Sequence, residues 1–273
     1  MNPYLELLRV KGWHAYLGIA ILGFVVVQGF LGQLVDIIIF FLMVSTYLGF
    51  SFAINDCFDM DEDALNNLRR NPIATKEIEQ KKAILFSISL ALAGLLLSMW
   101  FGLMIFVYQL TLTVLAYIYS VPPLRLKSRY ILDVLSHGFF FGFLILLLPV
   151  FVFGTITDVI VILAISVFIL SILIQLWNHI FDYEGDMKAK LRTTACVIGL
   201  EKSMKITMTL SLLFPVTLLP LYYINGHLFL LIIATSLYIP LILWKRSPVF
   251  LFSFANLLYG YIGVLMIFSY LFV

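Results

Sequence analysis

The sequence predicts an all-α polytopic transmembrane bundle of nine helices. Three observations carry this expectation. Hydrophobic residues fill 63% of the 273 positions against 12% charged, and mean hydropathy is +1.07. The apolar residues gather into long runs, mostly of the ~18 residues or more that read as a bilayer crossing. All 17 Lys and Arg residues fall on one side of those runs. A soluble domain of this length cannot hide so much apolar surface. A β-barrel would alternate polar and apolar residues in segments of about 10, and no segment does. In lipid the backbone must satisfy its own hydrogen bonds, so the runs become helices.

The expected spans are Trp13–Leu31, Leu34–Ile54, Ala83–Phe101, Leu103–Ser120, Ile131–Phe153, Val159–Ile180, Ile206–Ile224, His227–Trp244 and Val249–Phe272. Pro122 and Pro123 break the helix between the fourth and fifth. Arg9 and Lys11 precede the first span, and Arg69, Arg70, Lys76, Lys81 and Lys82 follow the second. Arg125, Lys127 and Arg129 follow the fourth, and Lys188, Lys190, Arg192, Lys202 and Lys205 follow the sixth. Lys245 and Arg246 follow the eighth. The opposite loops are short, with Asp36 and Asp158 as their only charges. The positive-inside rule puts the basic side and the N-terminus in the cytoplasm and the C-terminus outside, in a multi-pass cell-membrane protein. The short polar Met1–Lys11 segment is not a cleavable signal.

The chain reads as one domain, 1–273, with two halves at about 34–153 and 159–272 that each carry a copy of one motif. Asn55-Asp56-Cys57-Phe58-Asp59-Met60-Asp61-Glu62-Asp63 ends the second span, and Asn178-His179-Ile180-Phe181-Asp182-Tyr183-Glu184-Gly185-Asp186 ends the sixth. Both read Asn-x-x-Phe-Asp-x-x-x-Asp. Asn55, Asp59 and Asp63 are spaced i, i+4, i+8, as are Asn178, Asp182 and Asp186, so each set stacks on one helix face. Carboxylate and amide oxygens are the ligands hard cations prefer, and magnesium is held by a few carboxylates plus substrate phosphates. Two such clusters facing each other repel. A pair of magnesium ions bridging a diphosphate relieves that repulsion, and the helix C-termini favour cations as well. Asp56 points another way by spacing and is open to either a metal or a base role. Asp61, Glu62 and Glu184 read as outlying or solvated groups.

A diphosphate also needs basic side chains to stabilise it as a leaving group. Arg70 and Lys127 are the foremost candidates among the basic residues beside the motifs. The other basic residues are interchangeable on spacing alone and serve topology. Cys57 and Cys196 form no Cys-x-x-Cys pair, so no zinc or redox motif is present. His14, His137 and His227 read as structural or interfacial. His179 stands out because it occupies in the second motif the place Asp56 holds in the first. The basic residues form no long run, which argues against a nucleic-acid partner.

At this point the chain resembles the UbiA superfamily of intramembrane prenyltransferases. Asn55-Asp56-x-x-Asp59-x-x-x-Asp63 is similar to that family's first motif, and Asp182-x-Glu184-Gly185-Asp186 to its second. Tyr119-Ser120, the two prolines and Leu126-Lys127 resemble its segment between spans four and five. Family members often have Arg-Pro where this chain has Asn71-Pro72, and glycine where it has Lys190. The resemblance implies that Asp59, Asp63, Asp182 and Asp186, with Asn55 and Asn178, hold Mg2+ and the diphosphate of an isoprenyl donor. Arg70 and Lys127 contact the phosphates, and the lipid tail lies in an apolar groove open to the membrane.

The expected reaction is ionisation of an allylic C–O bond, capture of the cation by a lipophilic or aromatic acceptor, and loss of a proton to a base. Aromatic faces stabilise such a cation, and Tyr119, beside the phosphate segment, is the candidate. Asp182 or Asp56 is the candidate base. The acceptor stays open among a quinone precursor, a glyceryl phosphate lipid, haem and a carotenoid. Two rivals remain: a transporter with a carboxylate cation site, and a diphosphatase or terpene cyclase using the same metals. Spans free of mid-depth charge weigh against the transporter; Asp133 and His137 are the nearest exceptions.

Overall fold

The computed structural model describes residues 2–65, 71–224, 226–245 and 247–271. Among the described residues the chain is helical throughout, with no strand. Eight helices are long and apolar enough to cross a membrane: Leu34–Ala64, Gln80–Phe101, Leu103–Ser120, Leu132–Phe153, Asp158–Phe181, Leu200–Ile224, Leu228–Lys245 and Pro248–Leu265.

The expected first span departs from this. Its helix, α2, covers only His14–Val26, about 20 Å at 1.5 Å per residue. It ends because Gln28 turns to the left-handed φ of 55° and a 3-10 turn, Gly29–Leu31, follows. The short helix α1, Pro3–Leu7, precedes it, capped by the Asn2 side chain on Tyr4 N. Among the described residues there are therefore eight helices of full spanning length and one short apolar helix. Helix α2 packs on α7, Leu144–Phe153. A Cβ on Gly23 would lie 2.3 Å from Leu146 O, so only glycine permits this approach.

The second span, α3 (Leu34–Leu65), is one unbroken helix of 32 residues, longer than a bilayer core requires. Its polar last three turns project past the apolar part and carry the first motif. Helix α4 (Gln80–Ser98) runs back along it. Trp100 Nε1 donates to Asp36 Oδ1 at 2.8 Å, which ties the two helices at the opposite end. Helix α5 (Leu103–Ser120) stops ahead of Val121-Pro122-Pro123, as the prolines require.

The fifth span is assembled from α6 (Leu132–His137), a π-helical segment Gly138–Phe143, and α7. Helix α8 (Asp158–Phe181) lies against that π segment, and its N-terminus is capped by Thr157 Oγ1 on Ile160 N. After α8 come α9 (Tyr183–Lys188), α10 (Thr194–Ile198) and α11 (Leu200–Leu213). A 3-10 stretch carrying Pro215 joins α11 to α12 (Leu219–Ile224), so the seventh span bends where the proline withdraws a donor. Helices α13 (Leu228–Lys245) and α14 (Pro248–Leu271) complete the bundle. The interior is apolar and aromatic, with Phe40, Tyr47, Phe140, Trp177 and Phe214 fully buried. Leucines such as Leu34, Leu85, Leu96 and Leu103 face outward, the arrangement a lipid surround favours.

Candidate active site

A cavity of about 340 Å³ opens where α3, α5 and α8 end. Both motifs reach it. Asn55, Asp59, Glu62 and Asp63 line one side, and Asn178, Asp182 and Asp186 line the other, with Lys127 and Tyr119 between them. The structure thus brings together the sequence-derived candidates except two. Asp56 is fully buried outside the lining, its Oδ1 accepting from Arg9 Nη1 at 3.1 Å. One residue along a helix is a turn of about 100°, which takes Asp56 off the cavity face. Arg70 lies outside the described residues.

The first motif is braced from three directions. Asn55 Nδ2 donates to Asp59 Oδ2 at 2.7 Å, which orients the amide so that Oδ1 is the acceptor. Ser120 Oγ donates to that Oδ1 at 3.2 Å and Lys127 Nζ at 2.8 Å, and Lys127 also donates to Asp59 Oδ1. Arg125 has a left-handed φ of 39°, which starts the 3-10 turn Leu126–Ser128. Its Nη2 reaches back to Asp59 Oδ1 at 3.0 Å, Glu62 Oε2 at 2.5 Å and Phe58 O at 3.1 Å. Burial works against the Arg125 charge, yet the hydrogen bonds and charges of Glu62 and Asp59 outweigh it and raise its pKa. Asn71 Nδ2 donates to Asp63 Oδ2 at 2.8 Å and to Asp56 O at 2.9 Å. The Asn71-Pro72 pair, where the resemblance expected Arg-Pro, is a brace for Asp63.

The second motif is built differently. Helix α8 ends at Phe181 and Asp182 breaks it, with φ −89° and ψ 3°, before α9 resumes. The i to i+4 bonds Asp182 N to Asn178 O and Asp186 N to Asp182 O persist at 2.9 and 2.8 Å, so the shared face survives the break. Thr193 Oγ1 donates to Asp186 Oδ2 at 3.2 Å. Burial first, then the neighbouring Asp182 carboxylate, pushes the Asp186 carboxyl up to about 7. Lys190 takes the left-handed φ of 56° at the position where glycine was expected. Thr194, the residue after Thr193, is held by Asp133: Thr194 N and Oγ1 each donate to its carboxylate at 2.5 Å.

Several residues in or beside the cavity were missed by spacing arguments. Arg125 was grouped with interchangeable basic residues, although its place two positions before Lys127 was a usable signal. Glu62, read as outlying, lines the cavity and pairs with Arg125. Arg9 was read only as a topology charge, and nothing local links it to Asp56, 47 residues away. Tyr16, Phe52, His137 and Phe141 form an aromatic wall of the same cavity. His137, expected at an interface, is 3% exposed within that wall. His179 also lines the cavity, 3.5 Å from Asp133.

The donor set fits a hard divalent cation: five carboxylates, four of them the motif aspartates, line one opening with the Asn55 and Asn178 amides, and the Asp182 charge disfavours that of Asp186. Among the described residues no three His, Cys, Asp or Glu side chains cluster closely enough to hold one ion by themselves.

A helical membrane bundle with a charged, aromatic-walled cavity at one end defines an intramembrane enzyme acting on an amphipathic anion. The chain belongs to the UbiA prenyltransferase family, whose model matches residues 16–252. Its reaction class is isoprenyl transfer, which decides against the transporter reading. It is similar to a digeranylgeranylglyceryl phosphate synthase of Saccharolobus solfataricus, with 27% identity over 88% of this chain and 84% of that one. It is 34% identical to the chloroplastic chlorophyll synthase of Oryza sativa subsp. japonica, over 56% of this chain and 42% of that one. In fold it is similar to a UbiA homolog from Archaeoglobus fulgidus bound to GPP and Mg2+, with a TM-score of 0.77, 24% identity, and coverage of 97% and 99% of the two chains.

Proposed function

We propose that this enzyme joins an isoprenyl group from an allylic polyprenyl diphosphate to a hydroxyl of a glyceryl phosphate lipid, with Mg2+ as cofactor. The observation that carries the reading is the cavity itself, with carboxylates and lysine at its mouth and an aromatic wall beneath. The likeness to a digeranylgeranylglyceryl phosphate synthase over most of both chains supports the acceptor class.

Asp59, Asp63, Asp182 and Asp186 hold the metal. Magnesium bound there supplies Lewis-acid neutralisation of the departing diphosphate. Lys127, Arg125, Arg70, Asn55 and Asn178 orient the phosphates, Lys127 being within hydrogen-bond reach of two motif side chains already. Tyr119, 7% exposed and edge-on to Phe140 with centroids 5.2 Å apart, presents a fixed ring where the allylic cation forms. Removing water from this pocket protects the cation from hydrolysis. Asp56 pairs with Arg9 and is not part of the cavity lining, which favours a supporting role for it over that of base. The two motif halves act as one domain, and the cavity mouth faces the cytoplasm, the side the basic loops assign.

The test is purified protein in lipid nanodiscs with Mg2+, geranylgeranyl diphosphate and geranylgeranylglyceryl phosphate, with products followed by mass spectrometry. A doubly prenylated glyceryl phosphate, lost in Asp59→Ala and Asp182→Ala, is expected. Diphosphate release without it, whatever acceptor is added, would favour hydrolysis or cyclisation instead.

A further inference from the structure

The transfer leaves one chemical task unassigned: the acceptor must lose a proton as its oxygen is alkylated. In the proposed reading the four motif aspartates, Asp182 included, hold the metal, which leaves them poor proton acceptors. Asp56 is outside the cavity, paired with Arg9. Glu62, the remaining carboxylate of the lining, is paired with Arg125, which turns the search for the proton acceptor to the aromatic wall. Two imidazoles are there. His179 has Nε2 covered by the Gln175 amide at 2.9 Å and Nδ1 turned to Asp133. His137 is arranged otherwise.

His137 Nδ1 lies 3.1 Å from Ser171 O, a carbonyl that can only accept. Nδ1 therefore carries the proton. Ser171 Oγ, 3.0 Å from the same nitrogen, turns its own proton to His137 O at 3.3 Å. In neutral imidazole the other nitrogen is then a bare acceptor. That nitrogen, Nε2, is 3.1 Å from Tyr16 Oη, so the phenol donates to it. This leaves the Tyr16 oxygen with free lone pairs in the cavity, whose lining includes both residues. The two rings are held on both sides. Tyr16 packs on Phe141 with centroids 4.6 Å apart, His137 on the same Phe141 at 5.1 Å, and Tyr119 lies 6.3 Å from His137. The pair comes from α2 and α6, 121 residues apart, so packing of the two spans sets it.

We propose that Tyr16 and His137 form the proton acceptor of the transfer, Tyr16 touching the acceptor hydroxyl and His137 receiving the proton through it. The assignment rests on the prenyl-transfer reading. The allylic C–O bond to diphosphate breaks, its electron pair leaving with the diphosphate, and a lone pair on the acceptor oxygen then forms the new C–O bond to the allylic cation. The hydroxyl proton passes to Tyr16 Oη while the phenolic proton moves to His137 Nε2. The imidazolium then returns its proton through Tyr16 to a diphosphate oxygen, and the enzyme is neutral again. An alkylated oxonium is strongly acidic, so a neutral imidazole behind a phenol is base enough.

Tyr16→Phe keeps the ring and removes only the hydroxyl. His137→Gln keeps a hydrogen-bond acceptor for Tyr16 and removes the basic nitrogen. The enzyme in nanodiscs, with Mg2+, geranylgeranyl diphosphate and geranylgeranylglyceryl phosphate, is followed for prenylated product and released diphosphate together. Both variants are expected to lower kcat for transfer about a hundredfold, the usual size of general-base catalysis. The KM for the donor should stay within about twofold, because uniform binding is untouched. The ratio of product to diphosphate should drop below the wild-type value. Transfer unchanged in both variants, or full rescue by His137→Gln, overturns the assignment alone. Loss of donor affinity in step with kcat would mean a structural role and overturns it too. A wild-type protein that transfers to no hydroxyl acceptor overturns the prenyl-transfer reading first.

Discussion

Lys127 donates to Asn55 Oδ1 and Asp59 Oδ1 together, so one ammonium links the loop after α5 to the first motif on α3. Its side chain is 12% exposed, and Arg125 stands against the same carboxylate at 3.0 Å. Such a cation is placed to take up charge developing on a leaving phosphate. Lys127→Ala is expected to reduce kcat by about 10²–10³, the cost of deleting one preorganised electrostatic donor. Arg125→Ala should cost less, because its Glu62 contact makes part of its role structural. Single-turnover diphosphate release measures both. Equal activity of Lys127→Ala and wild type would reduce the lysine to a loop tie.

Asp186 gives the opposite balance between stability and activity. Burial and the Asp182 charge raise its carboxyl to about 7, so the folded protein holds an uncomfortable pair unless a cation intervenes. Asp186→Asn removes that repulsion. In EDTA the variant is expected to melt about 2–4 °C above wild type, for a gain of about 1 kcal/mol. With saturating Mg2+ the order should reverse and transfer should be lost. Thermal scans with and without Mg2+ decide it, and a variant less stable than wild type in EDTA would contradict the account.

The motifs were legible because their chemistry and their spacing agree. A residue every four positions on a helix shares a face in any context, so Asn55, Asp59 and Asp63 could be placed together from sequence. Asp182 shows how robust this is: the helix breaks there, and the i to i+4 bonds keep the face. What spacing could not supply was contact between distant segments. Arg125 turns back to Asp59 through a left-handed φ that no local pattern announces. Tyr16 meets His137 only because α2 and α6 pack together. The first span is shorter than expected for a local reason, since hydropathy continues through Gln28 while the backbone does not.

Asp133 ties α6 to the start of α10, beside the second motif. It is fully buried and accepts from Thr194 N, Thr194 Oγ1 and Val134 N. Thr193, next in the chain, holds Asp186. Removing the carboxylate strands three donors, and each bond to a charged group contributes about 1.5–3 kcal/mol. Asp133→Ala is therefore expected to lower the melting temperature more than Thr193→Ala. It should also raise the Mg2+ concentration for half-maximal activity, because the loop that positions Asp186 loosens. Thr193→Ala should raise that concentration with a smaller loss of stability. A Mg2+ titration unaffected by Asp133→Ala would separate the anchor from the site.

The π-helical segment makes a sharper demand on α8. Gly138 and Gly142 both face α8, and neither has room for a side chain. A Cβ on Gly138 would meet Ile172 Cγ1 at 2.7 Å, which a change of that side chain can relieve, and only one atom that moves with the helix, Phe168 O at 3.1 Å. A Cβ on Gly142 would meet Ser171 Cβ at 2.8 Å and Val167 O at 3.0 Å, atoms that move only with the helix. Gly142→Ala should therefore cost about 1–3 kcal/mol as overpacking, and Gly138→Ala less. Because Ser171 fixes His137 through Nδ1, pushing α8 away also disturbs the Tyr16–His137 contact. Transfer by Gly142→Ala is expected to fall even at temperatures where the protein stays folded, while Gly138→Ala keeps more of its activity. Thermal melts in detergent beside transfer assays in nanodiscs test the order. Equal stability of the two variants would mean that α8 is free to yield at Ser171.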